Sequence, residues 1–444
     1  MARLARVALI VIATFLLAGQ VLVNRPVPPA SRLDLDLQKL IKEFDVRPLG
    51  VRRFDPDPQF KLGQALFFDP VLSGPRNVSC ATCHLFRYGT GDGLSRSIGV
   101  HPSGFVTGQR LVDGTRVPPR NALDLWNRGN GAVRALFWDG RVELVDPERR
   151  VFRSPLGDAL PPGLDSLLAV QALFPLVTLD EMLGDPGDRS PTNLPGGHAG
   201  LLNDLATSRI GESHSRLMRR LLGEEPGSGW QEQYRALFRA AYPGKSAFTI
   251  VDVGNAIAHF EEMAFATRDS AWDRYLRGDT TALPGDAKRG AVLFYGKARC
   301  AACHVGPLFS DFSYHSVGVF GAGSSGDMPE DLGRWTVTRR EKDRYQFRTP
   351  PLRNVTKTAP YFHDGSEPSL KGAVNRHLDP LHGSVAMNVG QISAISPLLL
   401  PKLRLSDREV DDLLAFLSAL DFQPADRDRL VPKWVPSGLP LAYQ

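Results

Sequence analysis

Two five-residue runs carry the chemistry of this chain, Cys80-Ala-Thr-Cys83-His84 and Cys300-Ala-Ala-Cys303-His304. Together they use all four cysteines, so no thiol remains for a disulfide. Two thiols three positions apart, followed at once by an imidazole, form the attachment pattern of c-type haem. The thiols add to the haem vinyl groups, and the adjoining His offers an axial nitrogen to the iron. A thioredoxin-like pair or half of a zinc cluster would leave unexplained why a His follows each pair. Two covalently attached haems, on Cys80, Cys83 and His84 and on Cys300, Cys303 and His304, are therefore expected.

Each motif needs a scaffold, and the chain repeats one. Lys61-Leu62-Gly63-Gln64-Ala65-Leu66-Phe67-Phe68 precedes the first motif, and Lys288-Arg289-Gly290-Ala291-Val292-Leu293-Phe294-Tyr295 precedes the second. Both read as the start of a helix whose Gly and Leu-Phe-like pair face a haem. The expected fold class is mainly α, with two related cytochrome c-like domains, each wrapping one haem between long loops. The 35 prolines and 42 glycines favour short helices. Turn formers between Gly278 and Asp286 suggest a boundary, giving a first haem domain over residues 45–278 and a second over 286–430. Residues 249–276 show helical periodicity without a break, and a helical piece is expected over residues 201–222. Ser406-x-x-Glu409 reads as a capping box opening a helix with Val410, Leu413, Leu414 and Leu417 on one stripe. The Pro- and Gly-rich stretch of residues 183–230 suggests no role.

Composition is that of an ordinary globular protein, with 42% hydrophobic and 23% charged residues. The net charge of +5 is spread along the chain, and no basic run indicates a nucleic-acid partner. Arg3 and Arg6 precede a largely apolar stretch from Val7 to Val23, so residues 1–30 read as a signal peptide or membrane anchor. Either would deliver the rest to the periplasm, soluble or tethered to the inner membrane.

Haem attachment alone does not distinguish an enzyme from a carrier, because a carrier fills both axial positions on each iron. Further runs sharpen the choice: Ser97-Ile98-Gly99-Val100-His101, Arg120-Asn121-Ala122, Phe137-Trp138-Asp139-Gly140-Arg141, Asp311-Phe312-Ser313-Tyr314-His315, Leu352-Arg353-Asn354-Val355 and Ala359-Pro360-Tyr361-Phe362-His363-Asp364-Gly365. In this order around two haem motifs, the chain resembles the bacterial dihaem cytochrome c peroxidases and their relative MauG over nearly everything after residue 45.

The resemblance implies that the first haem is peroxidatic, with His84 proximal and His101 a distal ligand held at rest and released on reduction. It implies Glu181 as the acid–base group for peroxide cleavage, next to Asp180, and Gln171 as the residue orienting peroxide. Trp138 matches the tryptophan between the haems. The second haem resembles the electron-entry haem, with His304 proximal. At its distal position the chain departs from the pattern: peroxidases usually carry Met and MauG carries Tyr, but His377 stands here, with Met387 as the substitute. A His–Fe–His haem should have a lower potential than a His–Met one. Asn121, Thr358 and Pro360 match a calcium site, while His363 and Tyr361 match structural positions. The implied activity is reduction of hydrogen peroxide by a small donor such as a cytochrome c or cupredoxin. Family members are often dimers, which extends to this chain by analogy alone. The alternatives are a MauG-like oxidation of a protein substrate and a non-catalytic dihaem electron carrier.

Overall fold

The computed structural model describes residues 31–50, 54–100, 102–103, 111–112, 117–223, 229–267, 269–321, 330–381, 387–422 and 430–441. Two expectations therefore lie outside the described residues: the apolar leader of residues 1–30, and His101. Among the described residues no helix is long and apolar enough to cross a membrane.

The chain is mainly helical, and its strands run two to five residues. Helices start where the sequence supplies caps. The Pro58–Phe68 helix has Pro at its first position and Asp57 as cap, accepting from the Phe60 amide at 2.7 Å. The Asp407–Ser418 helix opens with the expected box: Ser406 accepts from the Glu409 amide at 3.3 Å, and Glu409 accepts from the Ser406 amide at 2.8 Å.

Two helix crossings repeat one another. Pro58–Phe68 crosses Ile250–Ala264, and Gly285–Tyr295 crosses Asp407–Ser418. At the first, a Cβ on Gly63 would collide with the carbonyl of Ala256 and approach Phe260; at the second, a Cβ on Gly290 would collide with the carbonyl of Asp412 and approach Phe416. The repeated glycines thus let two backbones touch, where the sequence suggested that they face a haem. Phe67 packs on Phe260 with ring centres 5.1 Å apart, and Phe294 on Phe416 at 5.2 Å. The two halves therefore share one register: Gly63 with Gly290, Phe67 with Phe294, Ala256 with Asp412, Phe260 with Phe416.

Each crossing anchors its own apolar core, and the termini are exchanged between them. The Arg32–Glu43 helix buries Leu37 in the second core, whereas Leu430, Val435 and Leu439 pack into the first. Residues 249–276 are not one helix. The helix stops at Ala264 because Asn127 takes over: its amide donates to the Phe265 carbonyl at 2.9 Å, and its side chain bonds the amide and hydroxyl of Thr267. A new helix, Ala271–Leu276, starts at the Ser270 cap. Similarly, residues 201–209 are not helical, and the helix there is Ile210–Leu222.

Candidate functional site

The first motif forms a one-turn helix, Cys80–Cys83, with His84 as its C-cap. His84 Nδ1 lies 2.8 Å from the Thr90 carbonyl, and Thr90 is itself pinned by its hydroxyl, which accepts from the Leu125 amide at 2.7 Å. A proton on Nδ1 leaves Nε2 with the lone pair that a metal needs. The second motif repeats the device, with His304 Nδ1 2.9 Å from the Phe309 carbonyl.

His377 stands near the end of the Leu370–Leu378 helix, and its Nδ1 is 2.8 Å from the Ala373 carbonyl one turn earlier. Its ring centre is 6.3 Å from that of His304. An iron held by both Nε2 atoms needs about 6 Å between ring centres, given metal–imidazole bonds of about 2.0–2.1 Å. Burial pushes the pKa of both rings down, that of His304 to about 4, so both stay neutral donors. Cys300, Cys303, His304 and His377 all line one apolar cavity with Leu413 and Leu417. Met387 is not part of that lining.

Two cations supply a second test of fit. Arg128 Nη1 and Arg348 Nη2 are buried and lack hydrogen-bond partners among the described residues. Burial, and then the charge of Arg128, push the Arg348 pKa down to about 9. Two buried guanidiniums with spare donors call for anionic oxygens, which the carboxylates of a haem carry. No spacing rule in the sequence pointed to either arginine. His315, also in the cavity, bonds Asp311 at 3.0 Å, and its pKa is raised to about 10 by Asp311 first and Cys303 next. Donor atoms of Cys303, Asp311 and His315 gather within 4.8 Å of one another, but haem attachment at Cys303 would remove the thiolate that a metal would want.

Trp138 lines the same cavity, and its indole donates to the Asn121 carbonyl at 3.0 Å. Asn121, Thr358 and Pro360 share that lining, but the Asn121 amide is used on the Leu94 carbonyl at 2.7 Å and the Thr358 hydroxyl on the Val355 carbonyl at 3.0 Å. Tyr361 donates to the Val355 carbonyl at 3.0 Å, and His363 lies flat on Phe347, ring centres 3.6 Å apart.

Gln171 sits on the Leu167–Ala172 helix, capped by Ser166. Glu181 sits in a π-turn, Leu179–Leu183, whose amides at Glu181, Met182 and Leu183 all reach the Thr178 carbonyl. Burial pushes the Glu181 carboxyl up to about 7; Arg141 opposes the shift and Asp180 adds to it. Both Glu181 and Glu261 lie close enough to Cys80 to raise the pKa of its thiol. The Val100 amide donates to the Asp180 carbonyl at 3.3 Å, so the chain entering residue 101 is tied beside Glu181.

A family model for di-haem cytochrome c peroxidase matches residues 57–281. The chain is 32% identical over 365 residues to the methylamine utilization protein MauG of Methylorubrum extorquens, an alignment covering 82% of this chain and 78% of that one. It is 30% identical over 346 residues to the cytochrome c551 peroxidase of Pseudomonas aeruginosa, covering 78% and 77%. Similar solved structures include a MauG-like protein associated with microbial copper homeostasis, at a TM-score of 0.59 and 25% identity, covering 87% of this chain and 95% of that one.

Proposed function

Because the chain belongs to the di-haem cytochrome c peroxidase family, we propose that it reduces hydrogen peroxide to water with electrons from a small redox protein, passed from the second haem to the first. The observation that carries this reading is Glu181, a carboxyl poised at about 7 in the half that holds Cys80 and His84. A bound haem c stores electrons and, where an axial position opens, offers peroxide a place to bind.

The residues of the chain do the rest. Cys80 and Cys83 hold one haem and Cys300 and Cys303 the other, with His84 and His304 as proximal ligands. His377 would be the second protein ligand of the second haem, beside His304, which suits electron entry. By the family resemblance, His101 would serve as the releasable second ligand of the first haem. Glu181 as carboxylate takes the proton from the near oxygen of peroxide and returns it to the leaving oxygen. Gln171 orients the peroxide through its amide, and Trp138 shortens the path between the haems.

The division into residues 45–278 and 286–430 has the support of two cores, with Trp272 and Tyr275 packed into the second and Leu308 and Leu430 into the first. Calcium at Asn121, Thr358 and Pro360, export to the periplasm by residues 1–30, an inner-membrane tether and a homodimer complete the reading. Identity to MauG of 32% favours oxidation of a protein substrate as the second reading. Electron paramagnetic resonance of the resting and half-reduced holoprotein tests the proposal, alongside peroxide consumption with a reduced cytochrome c or cupredoxin. One low-spin iron that never changes and one that opens on half-reduction are expected. Two closed irons indifferent to peroxide would leave a simple electron carrier, and consumption only with a specific protein would favour the MauG-like reading.

A further inference from the structure

Glu261 is a buried acid that no step above uses. It lies on the Ile250–Ala264 helix at 6% exposure, and its Oε2 has no hydrogen-bond partner among the described residues. A carboxyl left unpaired in an apolar interior weakens the fold, and such groups call for an explanation. The register between the two halves gives its surroundings. Since Ala256 corresponds to Asp412 and Phe260 to Phe416 across the two glycine contacts, Glu261 corresponds to Leu417. Leu417 lines the cavity that holds His304 and His377. The first half thus puts an acid on the haem-facing side of the helix where the second half has a leucine, and the nearness of Glu261 to Cys80 agrees.

Few charges compete for it. Of the helices packed on Ile250–Ala264, Leu167–Ala172 carries no titratable group, and Pro58–Phe68 carries only the exposed Lys61. Ile210–Leu222 turns inward Arg220, held by the carbonyls of Val71 and Ser73, and His214, whose pKa burial alone pushes down to about 4. Asp124 and Arg128, on the loop nearby, bond each other at 2.7 Å. Cys80 and Cys83 become uncharged thioethers, and Asp252, His259 and Glu262 share the helix of Glu261. None of these contributes to the position of Glu261, which burial alone raises to about 8.

We propose that Glu261 is the proton-holding partner of the first haem, taking up one proton from solvent when that site gains one electron. The balance is one electron in from the reductant and one proton in from water, with an O–H bond formed on Glu261 and no bond broken. The net charge of the buried volume is then unchanged, which a low-dielectric interior favours. A ferric haem brings a positive charge that holds the Glu261 carboxylate below its value of about 8, and reduction removes that charge, so uptake falls just below and around this pH. The proposal rests on Cys80 and Cys83 carrying a haem.

The test is a spectroelectrochemical titration of the holoprotein from about pH 5.5 to 9.5, with the second haem as internal control. The midpoint potential of the first haem should be level at the acid end, fall just below and around pH 8, and level off again at the alkaline end, the slope between approaching the limit of one proton per electron, about 59 mV per tenfold change in proton activity. Glu261→Gln should bind both haems and lose that slope. Glu261→Leu, which installs the residue found at the matching position of the second half, should do the same and guards against a variant that folds poorly. Glu181→Gln should retain the slope around pH 8, since the Glu181 carboxyl sits lower, at about 7. A wild-type potential independent of pH, or a slope surviving in both Glu261 variants, overturns the proposal. Peroxide turnover in the same samples separates the two claims: a chain that titrates as expected yet ignores peroxide keeps the proton link and loses the peroxidase reading.

Discussion

A carboxyl that titrates near neutrality matters where a proton must be taken and given back at working pH, and Glu181 is such a group. Its raised pKa means that it is protonated, and unable to accept, below about 7, and is a base above it. Peroxide turnover should therefore rise with pH through about 7 and level off above, and Glu181→Gln should lower it about 10²- to 10⁴-fold and flatten the profile, with both haem spectra unchanged. Steady-state rates across pH check this; an unaltered rate in the variant removes Glu181 from the chemistry. At the second haem, replacing His377 with Met should raise the midpoint potential, because Met ligation favours the reduced iron. A redox titration that finds no change would mean that His377 does not reach the iron. His84 and His304 could be named as candidate ligands from sequence because the attachment motif places thiols and imidazole within one turn of chain. Arg128, Arg348 and Glu261 were not legible, because what sets each apart is one buried polar atom without a hydrogen-bond partner among the described residues, and burial has no spacing.

At the scale of elements, the two helix crossings depend on glycines for contact rather than for flexibility. Gly290→Ala should destabilise the second half by about 1–3 kcal/mol or more, since the new Cβ runs into the Asp412 carbonyl and sits 2.8 Å from Phe416 Cβ. Gly285→Ala is the control in the same helix: its nearest neighbour is the flexible end of Arg289 at 3.6 Å, and a change of at most about 1 kcal/mol, toward stability, is expected. Denaturant unfolding followed at the second haem band distinguishes the two. The Ser406–Glu409 box could be read from sequence because capping is a local hydrogen-bonding choice. The end of the helix at Ala264 could not. Apolar periodicity runs through it, and the stop comes from Asn127, more than a hundred residues earlier, which captures Phe265 and Thr267.

Across the whole molecule, each core borrows a terminus from the other end of the chain. Leu430, Val435 and Leu439 are at most 3% exposed in the first core, and Ser437 donates to Asp69 at 2.6 Å. Removing residues 430–444 should therefore destabilise the first half by several kcal/mol, taking about 1.5–3 kcal/mol per buried aliphatic side chain as an upper bound. The second haem band should unfold nearly as before, and equal losses at both bands would show the halves to be one cooperative unit. Legible without the fold were the expected covalent chemistry, two haem attachments with their candidate proximal imidazoles, and the helix that opens at the Ser406 box. These are consequences of neighbouring residues. The fold was needed to bring the rings of His377 and His304 to 6.3 Å across 73 positions, to lift one carboxyl to about 7 and another to about 8, and to join helices at the repeated glycines. Desolvation and packing are sums over segments distant in the chain, so the residue types around a position cannot reveal them until the fold has brought those segments together.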